Sequence, residues 1–161
     1  MSYMQYLVLV LTAITLSCAS SEKLSEVVKG KVIHVVDGDT YDLLAPDRSK
    51  IRIRMEGIDA PEKGMPYYQV AKEYLKEKCL LKNVKIIINN TDDNGRLIAY
   101  TFLNDGSELS HEMIRAGLAW HFKKYNSDST LAILEEEAKA SKLKVWSEPH
   151  PMPPWENRRL H

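Results

Sequence analysis

A chain of 161 residues, 44% hydrophobic and 27% charged, has the composition of one globular domain with a real core and is short for two. Its 22 basic and 22 acidic residues cancel, so no overall field draws it to a polyanion. Any polyanion site must be built from a local cluster.

The first 21 residues carry no charged side chain. The run YLVLVLTAITLSC holds about a dozen apolar residues, fewer than the ~20 of a membrane span, and fits the apolar region of an export signal. It ends in TLSCASSEK, where a small residue ahead of Cys18 resembles a bacterial lipoprotein processing site. Thr15 and Leu16 depart from the usual residues there, and MSYMQY lacks the basic start of such a signal. Three routes stay open: lipidation at Cys18 with membrane attachment, ordinary secretion, or an uncleaved anchor. On each the protein is exported. The expected layout is residues 1–24 as signal and linker, 25–148 as one domain and 149–161 as a proline-rich tail. Cys79 is then alone and forms no internal disulfide. It follows Ala71 and Leu75 on a helical stripe, as a buried small hydrophobe does.

Residues 27–36 are rich in β-branched side chains and predict a strand. DGDT predicts a turn, TYDLL a second strand and APDRS another turn. KIRIRMEG alternates, with Ile51, Ile53 and Met55 toward a core and Arg52, Arg54 and Glu56 toward water. IDAPEKGMP is a loop. YYQVAKEYLKEKCLL has helical spacing, with Tyr67, Ala71, Leu75 and Cys79 on one face. NVKIIIN is a fourth strand, Asn94-Gly95 a hairpin turn and LIAYTFL a fifth strand. ELSHEMIRAG predicts a short helix closed by Gly117. SDSTLAILEEEAKASKLK predicts a helix capped by Ser127 or Asp128, with Leu131, Leu134 and Ala138 inward and Glu135, Glu136 and Glu137 on solvated faces. The tail SEPHPMPPWENRRLH is expected to be extended on the surface or disordered. The fold class is therefore α+β: a five-stranded closed barrel of the OB type with three α-helices.

Three short stretches carry chemistry. In VVDGDTYD, an EF-hand reading from Asp37 fails, because its glycine and final glutamate positions hold Asp42 and Arg48. Alone, DGDT is a turn. In RMEGIDAPE, Asp59 and Glu62 leave the strand that carries Arg54; alone, they are an acidic loop into a helix. In DNGR, the turn needs Asn94 and Gly95 but not Arg96. Together they change meaning. Asp39 and Asp59 offer hard oxygens to a divalent cation such as Ca²⁺. Arg54 and Arg96 can each grip a phosphate with two parallel hydrogen bonds. Glu62 can activate or orient water. Those are the parts of phosphodiester hydrolysis. The five histidines have no zinc-like spacing.

The series VVDGDT, IRIRMEGIDAPE, DNGRLIAYTF, EMIRAGLAW and EEEAKASKLKVWSE is similar to the staphylococcal nuclease (thermonuclease) family over residues 28–148. The resemblance implies an OB barrel and a monomeric, secreted, Ca²⁺-dependent nuclease. It would cut DNA and RNA, preferring single-stranded or frayed segments, to 3′-phosphate ends. It assigns Asp39, Asp59 and the Ala60 backbone carbonyl to the metal, with alanine where the staphylococcal enzyme has threonine. It assigns Arg54, Glu62 and Arg96 to catalysis, and Thr40 and Tyr125 to the substrate. Asp93 and Asn94 stand where the staphylococcal enzyme has lysine and tyrosine, and two acids near the nucleotide pocket, Asp92 and Asp93, with zero net charge, imply weaker or more salt-sensitive binding. Two alternatives are weighed beside the enzyme: a non-catalytic OB module that holds nucleic acid, and an envelope lipoprotein whose barrel is only an interaction surface.

Overall fold

The computed structural model describes residues 26–160; Cys18 and the apolar run expected to direct export lie outside them. Strand β1 (Glu26–Val35) pairs by its first half with β5 (Asn83–Thr91) and by its second with β2 (Thr40–Leu44). A register shift between Val32 and His34 bends it from one partner to the other. β2 and β3 (Lys50–Met55) form an antiparallel hairpin, as do β5 and β6 (Leu97–Phe102). Parallel pairing of β3 with β6 closes the ring in the order β1-β2-β3-β6-β5. Closure gives each of these five strands a partner on both sides.

Alternation along the strands fills the barrel. Val32, Tyr41, Leu43, Ile53, Met55, Val84, Ile86 and Ala99 are all buried. Tyr41 brings a hydroxyl into this core and meets Thr101 Oγ1 at 2.7 Å, so no polar atom is stranded there. Helix α1 (Tyr68–Cys79) buries Ala71, Leu75 and Cys79 of the expected stripe, while Tyr67 precedes the helix as its half-buried, left-handed N-cap. Helix α2 (Leu109–Arg115) ends at Gly117, whose φ of 68° suits glycine. A Cβ there would lie 2.5 Å from the Leu143 carbonyl oxygen, so glycine is also required for packing. Helix α3 (Ser129–Ala140) is capped by Asp128, which accepts the Thr130 N–H at 2.7 Å. A two-stranded ribbon, β4 (Ile58–Asp59) with β7 (Trp120–His121), stands outside the barrel and carries Asp59.

The α+β barrel of five strands is as expected, with a fourth helix added. Helix α4 (Pro154–Leu160) lies in the tail, where an extended or disordered segment was expected. Pro154 is at its first position, where a missing N–H costs nothing, and Arg158 and Arg159 sit in its last turn. Glu135, expected on a solvated face, is buried, and so is Asp42. Glu135 accepts the His121 N–H and pairs with Lys123 and Lys139. Asp42 is covered by Arg52, Lys50 and His34. Glu56, read as water-facing, is buried beneath the side-chain amides of Asn89 and Asn126.

Candidate active site

One cavity of about 790 Å³ opens where the β1–β2 turn, the end of β3, the ribbon, the β5–β6 hairpin and helix α4 converge. Its floor is acidic. Asp37 Oδ1 accepts the Asp39 N–H at 3.1 Å, which folds DGDT into a tight turn. Gly38 lets that turn press onto its neighbours: a Cβ there would sit 2.7 Å from the Ala60 Cβ and 2.8 Å from the Ala71 Cβ. The Asp39 carboxylate is held at both oxygens. Thr40 Oγ1 donates to Oδ1 at 2.9 Å and the Ala60 N–H to Oδ2 at 2.6 Å. Thr40 is itself buried and lies behind Asp39, off the cavity surface.

Arg54 reaches up from β3 with only 13% of its side chain exposed. Its Nη2 donates to Asp59 Oδ1 at 3.0 Å, and Nη1 lies 3.4 Å from Asp39 Oδ2. One guanidinium therefore bridges the two carboxylates. Asp59 is placed by its register against Trp120 in the ribbon. Burial pushes its carboxyl above the usual carboxylate range, against the pull of Arg158 and Arg54. Asp37 is pushed up to about 6, chiefly by burial and then by repulsion from Asp39.

At the rim, Asp92 Oδ1 accepts the N–H groups of Asn94 and Arg96, and its Oδ2 takes Arg96 Nε at 2.6 Å. The hairpin turn thus aims Arg96 along the cavity wall. Tyr125 is exposed on the opposite lip, edge-on to Phe122, with the Lys124 ammonium over its ring. Glu62 follows β4 and lines the cavity near Asp59. Its carboxylate is bound by Arg158 Nη1, and Arg158 Nη2 donates to Asp59 Oδ2 at 2.8 Å. Helix α4 is seated by Trp155, which stacks on Phe122 at 5.0 Å and 4°.

Comparison with known proteins bears on this arrangement. Residues 52–148 match the family model described as staphylococcal nuclease homologue. An "Uncharacterized endonuclease" of Escherichia coli is 36% identical over 128 residues, 80% of this chain and 83% of that protein. A "Micrococcal nuclease" of Shigella flexneri is 29% identical over 141 residues, 81% and 80% of the two chains. This chain belongs to the staphylococcal nuclease family. With that membership comes its enzyme class, a nuclease hydrolase.

In this nuclease the structure brings Asp39, Arg54, Asp59, Ala60, Glu62, Arg96 and Tyr125 to one cavity and leaves Thr40 off its lining. The contact recorded between Ala60 and Asp39 is through the Ala60 amide. Among the described residues no group of three or more His, Cys, Asp or Glu side chains is arranged to hold a metal. The donor set still suits a hard cation. Seven carboxylates line the cavity against three arginines, and burial pushes two of the acids, Asp37 and Asp59, above the usual carboxylate range. Arg158, Phe122 and Trp155 were missed by the sequence reading. The helix signal in PPWENRRL, a first-turn proline followed by late arginines, was the available clue to the first and last of these.

Proposed function

We propose that this nuclease is an exported, Ca²⁺-dependent phosphodiesterase that cuts DNA and RNA to 3′-phosphate ends. The observation that carries the reading is the bridge of Arg54 between Asp39 and Asp59, with Glu62 and Arg96 on the same cavity. Asp39 and Asp59, with the Ala60 carbonyl, are the residues to hold calcium, which supplies Lewis-acid polarisation of a phosphoryl oxygen when bound. Arg54 and Arg96 take the charge that builds on the phosphoryl oxygens as phosphorus becomes five-coordinate. Glu62 accepts a proton from the attacking water. The P–O5′ bond breaks, its oxygen leaves as a 5′-hydroxyl after taking up a proton, and phosphate stays on the 3′ side. Exposed Tyr125 and half-buried Phe122 give bases an aromatic surface, which favours single-stranded or frayed segments. Export rests on the uncharged, apolar start of the chain, with Cys18 as the residue for lipidation.

The test is digestion of heat-denatured DNA and of RNA by the purified full-length protein in Ca²⁺ and then in EGTA. Cleavage that vanishes in EGTA, and falls about 10²- to 10³-fold in Glu62→Gln, is the expected result. Ca²⁺-dependent binding of DNA without cleavage would instead make this barrel a nucleic-acid-binding module. Labelling with a radioactive fatty acid, compared with Cys18→Ser, tests the anchor.

A further inference from the structure

We propose that Arg158 is a third substrate-contacting arginine of this nuclease, delivered by the C-terminal helix, and that Asp59 and Glu62 hold it in readiness for the phosphodiester. The proposal rests on the nuclease reading of the cavity. Arg158 lies 99 residues beyond Asp59 and outside residues 52–148, which carry the family match. Its place in the cavity is built rather than incidental. Pro154 is buried, and Trp155 stacks flat on Phe122, so helix α4 is fixed one turn before the arginine.

The three arginines of the cavity differ in freedom. Arg54 is 13% exposed and committed to Asp39, Asp59 and the Met55 carbonyl. Arg96 is 32% exposed and tied to Asp92, the residue that also closes its hairpin turn. Arg158 is 45% exposed, and its fork is spread across two different acids, Nη1 on Glu62 and Nη2 on Asp59. A guanidinium that spans two acceptor oxygens presents the geometry that a phosphodiester's two non-bridging oxygens also fill. Both acids have other duties in the reaction: Asp59 toward a cation and Glu62 toward water. When they take up those duties they give up the fork. The phosphate that enters a cavity with seven carboxylates is the acceptor then left for it.

Two opposite consequences follow from removing this one side chain. Without nucleic acid, Arg158 competes with a cation for Asp59, so Arg158→Ala binds Ca²⁺ several-fold more tightly. At saturating Ca²⁺, Arg158→Ala binds single-stranded nucleic acid about ten-fold more weakly, because a charge-assisted contact to phosphate is gone. Arg158→Lys, which keeps the charge but not the fork, falls between. Trp155→Ala unseats the helix without touching the guanidinium and weakens nucleic-acid binding in the same direction.

The experiment uses the full-length protein and these three variants. Ca²⁺ affinity is read by calorimetry without nucleic acid. Affinity for a fluorescein-labelled, phosphorothioate-linked single-stranded oligonucleotide is read by anisotropy at saturating Ca²⁺. Tighter Ca²⁺ binding together with weaker oligonucleotide binding in Arg158→Ala supports the proposal. Oligonucleotide binding that is unchanged or tighter in Arg158→Ala overturns it and makes the arginine a latch on the site. Unchanged Ca²⁺ affinity overturns the competition on which it stands. A wild-type protein that binds but does not cut sinks the nuclease reading alone, because the Arg158 test is scored on binding.

Discussion

Arg54 sits between two acids that exclude most water, so replacing it tests how the site is held together. Its contacts to Asp59 and Asp39, at 3.0 and 3.4 Å, each correspond to ~5 kcal/mol of attraction at an effective dielectric near 20. Desolvation of three largely buried charges cancels most of that sum. Removing the guanidinium is a different matter, because the acids stay behind. In Arg54→Met, which keeps the bulk of the side chain, Asp59 retains Arg158. Asp39 retains only neutral donors, Thr40 and the Ala60 amide. One uncompensated buried carboxylate is therefore at stake rather than two. The loss should fall near the lower end of the usual range for a broken buried pair, ~3 kcal/mol. With a urea slope of about 2 kcal/mol/M, the unfolding midpoint in EGTA drops by ~1.5 M. In millimolar Ca²⁺ the drop shrinks, because a cation on Asp39 and Asp59 restores the missing charge. In Ca²⁺, cleavage falls ~10²- to 10³-fold, the order expected for loss of one electrostatic donor at the phosphoryl oxygens. Equilibrium unfolding of the two proteins in both buffers is the assay. A midpoint in EGTA within ~0.3 M of the parent would refute the idea that Arg54 offsets the charge of these acids.

Two further perturbations separate structural from chemical roles. Hydrogen bonds from Arg52 hold the Asp42 carboxyl well below the usual carboxylate range, against its burial and with help from Lys50 and His34. A depressed folded-state pKa gives stability that is complete above the unfolded pKa, near 4, and is lost as pH falls toward the folded value. Asp42→Asn should therefore be less stable than the parent by ~1–2 kcal/mol at pH 7, with the gap closing below about pH 3 in thermal melts. Gly38→Ala brings a methyl group within 2.7 Å of the Ala60 Cβ, which costs ~1–3 kcal/mol as overpacking and displaces Asp39. Ca²⁺ affinity by calorimetry should fall, and the added change Ala60→Gly should recover part of both losses.

The barrel and most of the cavity were legible because their signals are local. Strict alternation in KIRIRMEG, the turns at DGDT and Asn94-Gly95, and the stripe of Ala71, Leu75 and Cys79 fix strands, register and one helix within short windows. Asp39, Arg54 and Asp59 meet because the β1–β2 turn, strand β3 and the short β4 that follows it close in sequence carry them. What sequence could not reveal depends on partners far along the chain. A run of three glutamates reads as a solvated surface, although Glu135 falls four after Leu131 and three before Ala138, on the inward stripe. Glu135 is buried against the β7 backbone and Lys123, while Glu136 is 66% exposed. Asp42 carries no local sign of burial; its pairing register sets it beside Arg52. Arg158 was hidden for both reasons. Its partners are remote, and the prolines before it masked a short helix whose first residue is one of them.

Asp92 and Asp93 bring the acid balance of the cavity to a test, because neighbours of the same charge have opposite duties. Both line the cavity, and on charge alone each should repel a polyanion. Asp92, however, accepts the backbone N–H groups of Asn94 and Arg96 and pins Arg96 Nε at 2.6 Å. Burial opposes its ionisation, but the hydrogen bonds outweigh that and hold its carboxyl below the usual range. Asp93 is exposed, and among the described residues its carboxylate makes no hydrogen bond or ion pair. Asp93→Ala should bind single-stranded DNA about two-fold more tightly at low salt, an advantage that fades as salt rises. Asp92→Ala also removes a negative charge, yet it should cut about ten-fold more slowly, because Arg96 loses the anchor that aims it at the phosphate. Steady-state cleavage and anisotropy at two salt concentrations resolve the pair. If both variants improve together, the repulsion of the acids dominates and the hairpin does not position Arg96. If both decline, Asp93 has a structural duty that its exposure conceals.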